Sequence, residues 1–169
     1  MKLELKHFIY QNYKPVSVFV GGTIDLITEL DFENKIVSFL NLGNRLLDDC
    51  GFKLILHPLS DLTEEIEVNG EKFIPIVELA EKESANNNIY VKDIHSSKDI
   101  FWVDFENSEE DEFRFCYCIN SFQKGKLNPN SHTFVQNQIE LWNMLLSWHF
   151  DIFGLIDARL AVDINTVKF

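Results

Sequence analysis

Basic residues are scarce in this chain of 169 residues: 15 Lys and Arg stand against 27 Asp and Glu, a formal charge of -12, and Arg45, Arg114 and Arg159 are its only arginines. Affinity for a phosphate backbone depends on a cationic groove and falls steeply with salt, so direct nucleic-acid binding is not expected. Cysteine is sparse as well. Cys50, Cys116 and Cys118 make an odd set, which argues against the paired framework of a small secreted scaffold and leaves reduced, packed thiols as the expectation. No apolar run approaches the roughly 18 residues of a membrane span. Lys2, Glu4 and Lys6 interrupt the first ten residues, where a secretory signal would need an apolar stretch. The expectation is a cytoplasmic protein with no membrane contact.

Catalytic signatures are missing too. The chain contains no G-x-x-x-x-G-K-[ST] phosphate loop, no G-x-G-x-x-G fingerprint, no H-E-x-x-H helix and no G-x-S-x-G elbow. That removes the common nucleotide-binding, zinc-protease and serine-hydrolase mechanisms. A protein that is not an enzyme and carries no cofactor is expected.

What is present is material for a core: 46% of the residues are hydrophobic and 15 are Phe. A chain of this length buries a core without staples. β-Branched and aromatic runs at Val16 to Val20, Thr23 to Thr28, Lys35 to Leu40 and Phe52 to His57, punctuated by Gly21-Gly22, Asp31 to Asn34 and Asn41 to Gly51, predict an N-terminal antiparallel meander or small barrel. Pro58 to Thr63 breaks the pattern. Glu65 to Val68 and Glu71 to Ile74 then face each other across Asn69-Gly70, a pair that tolerates the positive φ of a type I′ turn. Pro75 opens a short helix to about Lys82, and Ser84 to Asn88 is a polar joint.

Past that joint, Phe101, Val103 and Phe105 share one strand face, as do Phe113, Phe115, Tyr117 and Ile119 on the next strand. The opposite faces carry Trp102, Asp104 and Glu106, then Glu112, Arg114, Cys116 and Cys118. Gln123 to Asn130 reads as a loop. Ser131 reads as the cap of a helix running to about His149, with Val135, Ile139, Trp142, Leu145, Leu146 and His149 spaced by threes and fours. Gly154 marks a bend or a second short helix ending near Leu160, and the tail from Ala161 is extended. The fold class is therefore α+β: an N-terminal antiparallel β meander or small barrel, a second β-hairpin, and a C-terminal helix packed on the sheet. Residues 1–83 form a β-rich region with a short helix, and residues 84–169 an aromatic hairpin with a helical region, the two making one compact unit.

The aromatic hairpin carries the densest charge. Asp104, Glu106, Glu109, Glu110, Asp111 and Glu112 fall within nine residues. Same-face residues on a strand are roughly 6.8 Å apart, close to the phosphate spacing of one nucleic-acid strand, so these acids suit a basic groove. Equally, charges at a turn blunt a sheet edge and keep two aromatic strands in solution. No metal is expected: the Cys116 and Cys118 spacing is too short for a zinc site that recruits His95 or His132. The alternation from Asp104 also departs from a calcium loop, with Glu109 where Gly belongs and Phe115 where a bidentate Glu belongs. His149 and Asp151, two apart on a helix, point away from each other and have no nucleophile beside them. His57 and His149 read as half-buried structural histidines.

Two strings are specific: Leu54-Ile55-Leu56-His57-Pro58-Leu59-Ser60-Asp61-Leu62-Thr63-Glu64-Glu65-Ile66 continuing through Asn69-Gly70-Glu71-Lys72-Phe73-Ile74-Pro75, and Trp148-His149-Phe150-Asp151-Ile152-Phe153-Gly154-Leu155-Ile156 with Leu160-Ala161-Val162-Asp163-Ile164-Asn165. The chain resembles, in these strings, small proteins of uncharacterised function carried by bacterial prophages and other mobile elements. The resemblance implies a phage or mobile-element setting in a bacterial host cell and carries over no catalytic residue. By analogy of setting, the expected function is non-enzymatic docking on a host protein with a basic surface, a CRISPR effector nuclease or its RNA complex among the partners, with Trp102, Asp104, Glu106, Glu109, Glu110, Asp111 and Glu112 as the contact residues. The alternative is a phage structural or assembly accessory that self-associates around Trp148 to Ile156.

Overall fold

The computed structural model describes residues 16–31, 33–34, 36–46, 51–84, 89–107, 110–118, 120–127 and 131–167. In chain order the strands are β1 Val16–Val20, β2 Thr23–Asp31, β3 Ile36–Phe39, β4 Gly43–Leu46, β5 Lys53–Leu56, β6 Ile66–Val68 and β7 Glu71–Phe73. Helix α1, Pro75–Glu83, follows; then come β8 Tyr90–Ser97, β9 Ile100–Glu106, β10 Glu112–Cys118, β11 Ser121–Lys126 and β12 Ser131–Phe134, helix α2 Gln138–Ser147, and β13 Ala161–Asp163. The class is α+β, as the periodicities predict. The chain divides into two compact units, residues 1–58 with 146–169, and residues 59–145. The division expected at residue 83 falls inside the second unit, and the first takes back the C-terminal segment.

The first unit is built on a six-stranded sheet in the order β13-β5-β1-β2-β3-β4, antiparallel except where β13 runs parallel to β5. Both ends of that order are edges, so the meander is open and does not close into a barrel among the described residues. Val18, Ile27, Val37, Phe39, Phe52, Leu54 and Leu56 from the strands bury against Leu155 and Ala161. Leu54-Ile55-Leu56 is buried at every position, the pattern of a strand covered on both faces.

The turn from β3 into β4 is held by Asp25, which is 3% exposed. Its carboxylate accepts hydrogen bonds from the backbone N–H of Leu26, Asn41 and Leu42 and from Asn41 Nδ2, at 2.8 to 3.1 Å. Asp151 does the same for the segment before β13: its two oxygens accept from Leu155 N at 2.8 Å and Ile156 N at 2.7 Å. Gly154, at φ 67°, takes the bend inside that loop.

The second unit is a five-stranded antiparallel sheet, β12-β11-β10-β9-β8, with the β6–β7 hairpin and both helices. Asn69 and Gly70 adopt φ of 56° and 84°, the left-handed pair that a two-residue hairpin turn requires. Pro75 opens α1, whose Pro75, Ile76, Leu79 and Ala80 are buried. Phe101, Val103, Phe105, Phe115, Tyr117 and Phe122 form the covered face of the sheet. Trp142 of α2 meets Tyr117 and Phe122 edge-on at 5.6 and 5.4 Å, so the C-terminal helix packs on the sheet.

Several stretches differ from expectation. β4 is a strand in a segment that read as connecting chain, β8 is a strand in a segment given no assignment, and β11 takes the first half of the predicted Gln123 to Asn130 loop. Ser131 does not cap a helix: Ser131 to Phe134 pair with Lys126 to Gln123 as β12. The ladder ends where Gln138 takes over, its side chain donating to Phe122 O at 2.6 Å and accepting from Phe122 N at 2.9 Å. That exchange satisfies the backbone of Phe122 and starts α2 six residues later than the spacing predicts. The tail is extended only through β13, after which Asp163 caps a 3-10 turn over Ile164–Thr166.

Candidate functional site

The candidate acids sit where β9 turns into β10. The register sets Glu106 opposite Glu112, Phe105 opposite Phe113, Asp104 opposite Arg114 and Trp102 opposite Cys116. Asn107 organises the turn: its Oδ1 accepts from Asp111 N at 2.9 Å, and Glu110 adopts a left-handed φ of 63°. Glu109 lies outside the described residues.

Directly opposed carboxylates repel each other, and β8 supplies the remedy. A bulge between Val91 and Asp93 makes Lys92 an extra residue in that strand. Bulges re-aim side chains, and Lys92 Nζ reaches both Glu106 and Glu112, the second at 3.3 Å. The hydrogen bond to Glu106 first, and that to Glu112 after it, raise the Lys92 pKa.

The neighbouring row is closed in the same manner. Arg114 donates to Asp104 through Nε at 2.6 Å and Nη2 at 2.7 Å, a bidentate pair. The guanidinium lies 5.3 Å from the centre of the Trp102 ring, and His95 stacks on Trp102 at 5.1 Å. Trp102 Nε1 is buried without a hydrogen-bond partner. Asp111 pairs with Lys126 at 2.6 Å. Of the expected contact residues, then, Asp104, Glu106, Asp111 and Glu112 are answered by the protein's own cations, and Trp102 is covered by His95 and Arg114. Glu110 remains exposed. Among the described acids of this hairpin, Glu110 is the one left without a cation in ion-pair range.

The chain matches no family model, no curated protein and no solved structure.

The negative surplus lies on other elements of the same unit. Between Glu64 and Glu83, across β6, β7 and α1, there are seven glutamates and two lysines. Lys72 pairs with Glu65 at 3.4 Å, an exposed contact of little worth, while Lys82 turns to Glu140 on α2 at 2.6 Å. Among the described residues Glu64, Glu67, Glu71, Glu78 and Glu81 have no lysine or arginine in ion-pair range. Partial burial of Glu78, with Glu81 and Glu71 adding repulsion, raises its pKa; burial raises that of Glu83 as well, against the pull of Lys124. This concentration was legible as a bare count of glutamates.

Other candidates resolve into structure. The two oxygens of Asp151 accept from the backbone N–H groups of Leu155 and Ile156, which gives this carboxylate a structural role. His57 stacks on Phe150 at 5.4 Å. Phe150 and Leu155, within the segment expected to self-associate, are 2% and 1% exposed and belong to the interior. Burial first, then the neighbouring Cys118, pushes the Cys116 thiol up to about 11, which makes it a poor nucleophile. Among the described residues no three His, Cys, Asp or Glu side chains are grouped to hold a metal ion, and no helix is long and apolar enough to cross a membrane.

Proposed function

We propose that this is a non-catalytic binding protein whose second unit engages a basic protein surface. The observation that carries the reading is a separation of charge. Residues 59–145 hold 17 Asp and Glu against seven Lys and Arg, a net -10, while residues 1–58 with 146–169 hold ten against eight, a net -2. A field of one sign on one unit speeds encounter with an oppositely charged partner and biases partner choice. The acids that remain uncompensated, those of β6, β7 and α1, carry the docking. Asp104, Glu106, Asp111 and Glu112 are paired within the sheet.

The setting we attach to this reading is that of a phage or mobile-element protein in the cytoplasm of a bacterial host, and its support is the resemblance of the two strings. An RNA-guided nuclease is a partner of the right chemistry, because its guide-target duplex lies in a positively charged channel. Immobilised protein exposed to bacterial host lysate should retain a basic partner that elutes with added salt, as exposed charge pairs are screened within about 8 Å at physiological ionic strength. Retention that is indifferent to salt would reject the reading.

Self-association has one observation in its favour, on the first unit. Leu40 and Leu42 are 61% and 36% exposed at the β3–β4 turn, Leu46 is 52% exposed at the far end of β4, and β4 is an edge strand. Sizing chromatography across a concentration series separates the readings: a discrete oligomer supports assembly, and a constant monomer removes it.

A further inference from the structure

Within the second unit, Glu83, Phe113, Lys124, Lys126, Thr133 and Gln136 border an open concavity of about 390 Å3. The register sets Phe113 opposite Lys126 and Lys124 opposite Thr133, which puts these four side chains on one face of the sheet. Both ammonium groups flank a single ring: Lys124 Nζ is 5.5 Å and Lys126 Nζ 5.6 Å from the centre of Phe113, and Lys124 is also 5.8 Å from Phe105.

The two cations differ in what answers them. Lys126 has Asp111 at 2.6 Å. Lys124 donates to the hydroxyl of Ser84 at 3.1 Å, and no carboxylate among the described residues lies in ion-pair range of it. It is half-buried on aromatic rings in a unit with ten more acids than bases. Burial lowers its pKa and Glu83 draws it part of the way back, so the ammonium gains from any anion brought beside it.

We propose that this concavity binds a small organic carboxylate, with the anionic group on Lys124 Nζ and the apolar body against Phe113. A single ammonium with no carboxylate in ion-pair range matches a monoanion. The surrounding negative charge of the unit disfavours a phosphate dianion or a nucleic-acid strand, and the phenyl floor rewards a ligand with an apolar body. Ser84 supplies a hydroxyl beside the cation.

The test follows backbone amide shifts on β11 and β12 while the whole protein is titrated with benzoate, with the neutral isostere benzamide, and with inorganic phosphate. Saturable shifts with benzoate, and much weaker ones with benzamide and phosphate, are expected. Lys124→Met keeps the aliphatic stem on the rings and should weaken benzoate binding by roughly tenfold or more, the loss of one charge-assisted contact, whereas Lys124→Arg should retain it. Absence of shifts with benzoate overturns the proposal, as does equal binding of benzamide or phosphate, or unchanged binding by a Lys124→Met variant with a native spectrum. Should Lys124→Met fail to fold, the benzoate-benzamide difference in the wild type decides alone.

Discussion

At the scale of single residues, two buried carboxylates do the work that motifs do in other chains. Asp25 and Asp151 each satisfy several backbone donors in irregular segments, where no ladder is available to take them. Asp151→Ala leaves the N–H groups of Leu155 and Ile156 without acceptors and should cost about 1–3 kcal/mol, read as a shift in the denaturation midpoint at constant slope. For Asp25, burial pushes the carboxyl pKa up, and the hydrogen bonds from Leu26, Asn41 and Leu42 together outweigh that and leave it below the ordinary value. Its contribution to stability is therefore complete above the ordinary carboxylate range and is lost as pH falls through the depressed folded value. Cys116 makes a separate prediction: with its thiol pushed up to about 11 and only 7% of the residue exposed, it should resist alkylation at pH 8 in the folded protein and react on unfolding. Comparable labelling of Cys116 in both states would contradict the placement. Sequence showed that Asp25 exists, but its partners in the β3–β4 turn are set by tertiary position: Asn41 is 16 residues from Asp25.

At the scale of elements, local chemistry was legible and non-local pairing was not. Asn69-Gly70 and Pro75 dictate their turn and helix within a few residues, and both appear where expected. β8 and β11 are polar strands whose existence is decided by neighbours; Ser121–Lys126 contains one large apolar residue, Phe122, and gives little alternation to read. The acidic hairpin shows the same limit. Its charges were evident, but which cation meets each acid depends on the register that sets Asp104 beside Arg114 and on the bulge that turns Lys92. The acidic face of β6, β7 and α1 also bears on stability. Glu78 has a raised pKa in the folded state, so its contribution is favourable below the ordinary glutamate value and is lost as pH rises through the raised one. Glu78→Gln should consequently raise the melting temperature at pH 7 by about 1–2 °C, a small gain because the side chain is partly in water, and have no effect well below pH 4. A destabilised Glu78→Gln protein at pH 7 would mean that the carboxylate has a partner. Repulsion kept on one surface at a cost in stability is the pattern of a surface retained for binding.

At the scale of the whole chain, the separation of charge gives the binding proposal its direction. The near-neutral first unit carries the exposed leucines of its edge, and the second carries almost the entire excess of acid. Composition revealed the excess. Its distribution required the division of the chain, because the first unit is assembled from both ends of the sequence. The most direct measurement compares two charge-reversed proteins for association rate with the purified basic partner at low and high salt: Glu67→Lys, Glu71→Lys and Glu81→Lys together in one, and Glu110→Lys in the other. The proposal predicts that the triple variant loses both the fast association and its salt dependence, while Glu110→Lys stays close to wild type. Fast, salt-sensitive association by a folded triple variant would contradict it.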